Sequence, residues 1–141
     1  MRQLFNLGIV LIFCLAAGCA TNSSNTSHLS GTNWQLTALG SEWPVNPEDH
    51  LTLSFDLHSN ARGSTGCNLF NAAYQANHGT IRFDNLSATE RACSDRFKMD
   101  QESNYLDALS QARIYTLFDG DQRLIISGEG GQKPLEFRRG S

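Results

Sequence analysis

The chain has no apolar run approaching the roughly 20 residues that a membrane-spanning helix requires, which excludes a multi-span membrane protein. Prolines number only three and follow no G-X-Y period, so a collagen is excluded. No sustained heptad pattern occurs, which excludes a coiled coil. Basic residues are outnumbered, with 11 Lys and Arg against 14 Asp and Glu and a net charge of −3. A nucleic-acid-binding domain should be clearly basic, so that class of partner is not expected. There is no CxxC pair, which leaves zinc and thioredoxin readings weak. Nor is there an HExxH run or a G-x-S-x-G elbow.

What is present begins with an address. Arg2 supplies a short positive region, and Leu7–Ala17 is an uncharged apolar stretch of eleven residues. That is too short to span a bilayer and suits a removable signal peptide over residues 1–18. Ala17-Gly18-Cys19 then resembles a bacterial lipoprotein cleavage box, in which the Cys thiol is lipidated and becomes the new N-terminus. The alternative is an ordinary secretory signal cut at a small-residue site. Ala20 stands where an Asp commonly retains such proteins at the inner membrane, so the expected location is the outer membrane with the domain facing the periplasm. Residues 19–30 are almost wholly small and polar, and read as a lipidated Cys followed by a flexible tether.

After the leader 123 residues remain, enough for one domain with its own core. Cys14 lies in the leader and Cys19 at the lipid site, which leaves Cys67 and Cys93. In an oxidising compartment these are expected to form a disulfide, the alternative being two buried thiols. The bond would close a loop that the chain-entropy argument values at roughly 3.5 kcal/mol.

Periodicity sets the expected elements. Thr32–Leu39 alternates with Trp34, Leu36 and Ala38 on one side, and Leu51–Leu57 alternates Leu51, Leu53, Phe55 and Leu57 inward. Residues 40–49 read as a loop and 58–63 as a turn. Short strands are expected at 67–70, 72–75 and 80–83, then an irregular connection over 84–92. Ser94 is expected to cap a helix over 95–113 whose buried face carries Phe97, Gln101, Tyr105, Leu109 and Ala112. Strands at 114–118, 123–127 and 135–138 close the domain. The expected class is mainly β (α+β), a compact antiparallel sheet or partly open barrel with one packed α-helix.

Gly63-Ser64-Thr65-Gly66-Cys67-Asn68, then Thr89–Cys93, then a helix with Glu102 and Tyr105-Leu106, occur in an order that resembles the META domain. This is the family of the heat-shock protein HslJ. Gly31–Leu36 is also similar to the family's first strand and Leu135–Arg138 to its last. The resemblance covers residues 31–139. It implies a β-rich fold with one helix, often on a lipoprotein anchor, with links to stress responses and the envelope. It implies no catalytic residues.

Chemistry-bearing residues are sparse. His28 lies in the tether, while His50, His58 and His78 fall at strand ends or turns, so no metal and no cofactor is expected. Ser64 sits in a Gly-bounded turn, where Gly63 and Gly66 offer positive φ or close backbone approach. Trp43, between Glu42 and Pro44, and Glu102 on the helix are the candidate binding surface. For Glu102 the alternative is a solvated carboxylate paired with Lys98. The function these features imply is a non-enzymatic outer-membrane lipoprotein that binds an envelope protein or an apolar ligand and supports envelope integrity under stress. The alternative is a periplasmic hydrolase inhibitor that presents the Trp43 loop.

Overall fold

Alternating apolar residues on consecutive short strands can be buried together if the sheet rolls up on itself, and this is what the chain does. The computed structural model describes residues 28–40 and 43–141. The leader, Cys19, the tether up to residue 27 and Glu42 lie outside the described residues. Nine strands and one α-helix follow in chain order: β1 (Thr32–Leu39), β2 (Trp43–Pro44), β3 (Leu51–Phe55), β4 (Asn60–Thr65), β5 (Leu69–Asn77), β6 (Thr80–Ala88), α1 (Arg96–Ser110), β7 (Ile114–Phe118), β8 (Arg123–Ser127) and β9 (Leu135–Arg139). Each strand from β3 onward pairs antiparallel with the next, β1 pairs with β3, and β9 returns to β1. Eight strands thus form a closed antiparallel barrel. The two-residue β2 is appended to the end of β1 through Leu39 and Trp43. Closure pairs the strand edges except along β6 and β7, which meet at a single residue pair.

The interior is filled by the inward residues of every strand. Trp34, Leu36, Leu53, Phe55, Phe70, Tyr74, Ile81, Phe83, Leu124, Ile126, Leu135 and Phe137 are all buried. The Trp34 indole N–H donates to Thr32 Oγ1 at 2.6 Å, so its polar edge is satisfied inside the core. An extra residue at Thr37 bulges β1 against β9 and shifts its alternation. Leu39, rather than the expected Ala38, therefore turns inward.

Other boundaries also differ from the expected ones. Residues 58–63 are not all turn, because β4 starts at Asn60. Its Gly63 lies beneath the Phe70 ring, where an added Cβ would fall 2.0 Å from the Thr52 carbonyl oxygen. The strands expected at 67–70 and 72–75 are one strand, β5. The expected connection over 84–88 belongs to β6, with a bulge near Asn85, whose φ is 55°. Leu57 does not continue the inward row of β3. The chain turns at Asp56, whose carboxylate accepts from the Asn60 and His58 backbone N–H groups at 2.8 Å each.

The helix seals one end. Tyr105 is fully buried, donates to the Thr52 carbonyl at 3.1 Å, and packs between Phe70 and Phe137. Gln101, Leu109 and Ala112 join it, as expected, and so does Ala108, which was not expected there. The N-cap is Asp95, not Ser94, and its carboxylate accepts from the Lys98 N–H at 2.8 Å. Phe97 is not core, because the first helical turn projects past the barrel rim and leaves it 55% exposed. The barrel is thinnest between β6 and β7, which pair only at Thr80 and Ile114, and α1 packs against β6 beside this seam.

Candidate functional site

At the helix end the chain builds a polar knot. The β4–β5 turn needs a residue with positive φ, and Gly66 supplies it at 86°. That turn carries Cys67 and Asn68 up against the connection from β6 to α1. Cys67 and Cys93 are disulfide-bonded, with Cα atoms 5.7 Å apart, within the range such bonds require. Asn68 is almost wholly buried, and its amide is the hub. Its Nδ2 donates to the Arg91 carbonyl at 3.1 Å and to Glu102 Oε1 at 2.9 Å, while its Oδ1 accepts from Thr89 Oγ1 and the Arg91 N–H at 2.8 Å each. Glu102 also accepts from Thr65 Oγ1. Glu102 is thus a half-buried acceptor tied into the fold. Its expected pairing with Lys98 does not form, since Lys98 faces Asp49 at 3.5 Å.

Trp43 lies elsewhere on the same end. Its ring stacks on Phe97 with centroids 5.7 Å apart and planes 8° apart. Both rings keep an exposed face, Trp43 at 38%. Beside them runs an open groove of about 410 Å³ lined by Leu39, Gly40, Trp43, Asn104, Asp107, Ala108 and Lys133. Lys133 ion-pairs with Asp107, and this donor, with Gln111 second, holds the Asp107 carboxyl below its ordinary range. The groove is therefore apolar at its Trp43 side and charged at its rim. Of this surface the sequence pointed only to Trp43; Phe97, stacked on it, and the groove residues Asn104, Asp107, Ala108 and Lys133 were not foreseen. Phe97 was hidden because it keeps the phase of the buried face.

A larger open cavity, about 970 Å³, lies between the turn after β3 and the residues that follow the helix. Ser30, Leu57 and Ser59 form one side, and Tyr74, Ile81, Arg82, Arg113, Ile114 and Glu129 are among the residues on the other. Leu57 is 75% exposed there.

The nucleophile and ligand candidates are scattered. Ser64 Oγ accepts the Gly66 N–H at 3.1 Å and so belongs to its own turn. His50 closes a short 3-10 turn, and His78 occupies the β5–β6 turn. His28 lies 3.5 Å from Asp121, an exposed contact. Cys67, Cys93 and Glu102 bring possible ligand atoms within 4.8 Å of one another. The two sulfurs are bonded to each other, however, so neither is a thiolate free to bind a metal.

Comparison with known proteins fits this architecture. A protein from Burkholderia xenovorans, solved by NMR, is 24% identical and superposes with a TM-score of 0.64 over 80% of this chain and 84% of its own. A DUF4847 family protein from Bacteroides vulgatus ATCC 8482 is 15% identical, with a TM-score of 0.57 over 79% of this chain and 94% of its own. At these identities the likeness is one of fold. No curated protein sequence matches. The META domain matches residues 27–141, nearly the whole described structure. The chain belongs to the META domain family.

Proposed function

We propose that this META domain is the periplasm-facing part of an outer-membrane lipoprotein, anchored through Cys19, that binds an envelope protein or an apolar ligand without turnover and supports envelope integrity under stress. The observation that carries the binding reading is the exposed Trp43–Phe97 stack beside the groove at Asn104 and Ala108. Stacked, half-exposed aromatics next to a concave, partly apolar surface are the anchors on which recognition depends. The barrel interior is occupied by its own side chains, so the working surface is on the outside. Glu102 supports this end indirectly, by holding the start of the helix to the β4–β5 turn.

The test is an envelope pull-down with the full lipidated chain, run beside a deletion strain challenged with agents the outer membrane excludes. Trp43→Ala should lose the captured partner and fail to restore resistance. Ser64→Ala and single substitutions of His50, His58 or His78 should do neither. A folded Ser64→Ala or His→Ala protein that loses function would overturn the non-enzymatic reading. A hydrolase as the main catch would favour the inhibitor reading instead.

A further inference from the structure

A second surface lies where the chain leaves β3, and it reaches round to the residues that follow the helix. The chain enters the domain there. Ser30 Oγ donates to the Asp56 carbonyl at 3.2 Å, and Ser30 itself lines the large cavity together with Leu57. Cys19 lies nine residues before His28, so an anchor at Cys19 holds this surface within at most about 30 Å of the bilayer. The surface so presented has the chemistry of an interfacial contact. Leu57 is 75% exposed and Ile114 is also exposed, beside the guanidinium groups of Arg82 and Arg113. One carboxylate, Glu129, shares the cavity lining. Arg82 is paired with Asp84 at 3.1 Å on the exposed face, and Arg113 donates to the Ala112 carbonyl. Asp84, paired with Arg82, and Glu129 balance the two guanidinium groups, so the rim offers charges of both signs, as a zwitterionic headgroup layer does.

We infer that this mouth docks on the bilayer that holds the anchor, with Leu57 in the headgroup region and Arg82 and Arg113 toward lipid phosphates. The inference rests on the lipoprotein reading above. It assigns the two surfaces separate tasks, since they share no lining residue and docking through Leu57 leaves Trp43 and Phe97 for a partner.

The test uses the mature lipidated chain on vesicles of phosphatidylethanolamine with phosphatidylglycerol. All its cysteines are engaged, so Leu57→Cys or Phe97→Cys adds a single free thiol. Each is treated with a membrane-impermeant maleimide, and its rate is divided by that of the same variant unfolded in urea. The expected result is about tenfold protection at position 57 and little at 97. Replacing Arg82 and Arg113 by Gln should weaken the protection, as should high salt, while the protein still floats with the vesicles. Similar rates at 57 and 97 on floating protein would overturn the docking inference alone. Protection that rises with the protein-to-lipid ratio would assign the face to a second copy and also overturn it. A chain that does not float would overturn both the anchoring and the docking.

Discussion

Asn68 is the residue on which the helix end turns. Its side chain bonds to Thr89, Arg91 and Glu102, and its backbone bonds to Thr65. The sequence shows a polar residue after Gly-Cys and nothing of its partners, because Glu102 lies 34 positions away. Replacing Asn68 by Ala strips donors and acceptors from a buried knot, and should cost about 3 kcal/mol in urea unfolding. A loss under about half a kcal/mol would show that the knot is not structural. Asp56 offers a check by pH. The Asn60 backbone N–H, then its side-chain amide, then the His58 N–H hold its carboxyl below the ordinary range. The folded state therefore binds the Asp56 proton less readily than the unfolded chain does. The stabilisation is present above the unfolded value, near pH 4, and is lost as pH falls through the lower folded value. Thermal melts between pH 6 and 2 should show this acid limb, and Asp56→Asn should flatten it.

Among the elements, legibility followed period. β3 could be read from Leu51, Leu53 and Phe55, since every second residue is apolar and buried. β4 could not. In Asn60–Thr65 the inward places go to Ala61, Gly63 and Thr65, and Gly63 carries no side chain because Phe70 fills that space. Gly63→Ala should therefore destabilise far more than a surface strand substitution, since the clash is with backbone and an aromatic ring. The helix was legible in phase but not in extent. Leu109 is fully buried, and Leu109→Ala should cost roughly 2–5 kcal/mol. Phe97 has the same phase but lies beyond the rim, so Phe97→Ala should cost much less in stability while weakening the Trp43 surface. Urea titrations of the two variants decide it. Equal losses would return Phe97 to the core. The disulfide was legible from the count of two cysteines left in the domain, but the Trp43 groove was not, because its walls come from β1, β2, α1 and Lys133 in the β8–β9 connection.

For the whole molecule, the closed barrel is unevenly closed. Between β3 and β4 the ladder runs through five residue pairs, whereas between β6 and β7 it consists of one pair, Thr80 with Ile114. Two backbone bonds flank that pair, from the Ile81 N–H to the Arg113 carbonyl at 3.0 Å and from the Tyr115 N–H to the Gly79 carbonyl at 2.8 Å. The helix bridges the gap. Its N-terminal side is held by Asn68, Glu102 and the disulfide, and its C-terminal residues lead through Ala112 and Arg113 directly into the seam. Helix docking and barrel closure are therefore expected to be coupled, and we predict that the barrel opens first at the seam. Local opening draws on regions with few interstrand bonds, and amide exchange reports it. The amides of Ile81 and Tyr115 should exchange faster than those of β3 and β4, which open only with the whole domain. Leu109→Ala should widen the difference by loosening the helix over the seam. Reducing Cys67–Cys93 should act mainly on residues 89–95 and the first helical turn, which that bond holds to the β4–β5 turn. Uniform protection across β3, β4, β6 and β7, unchanged by Leu109→Ala, would show that the single β6–β7 pair is as firm as the full ladders and that the helix is not needed to close the barrel.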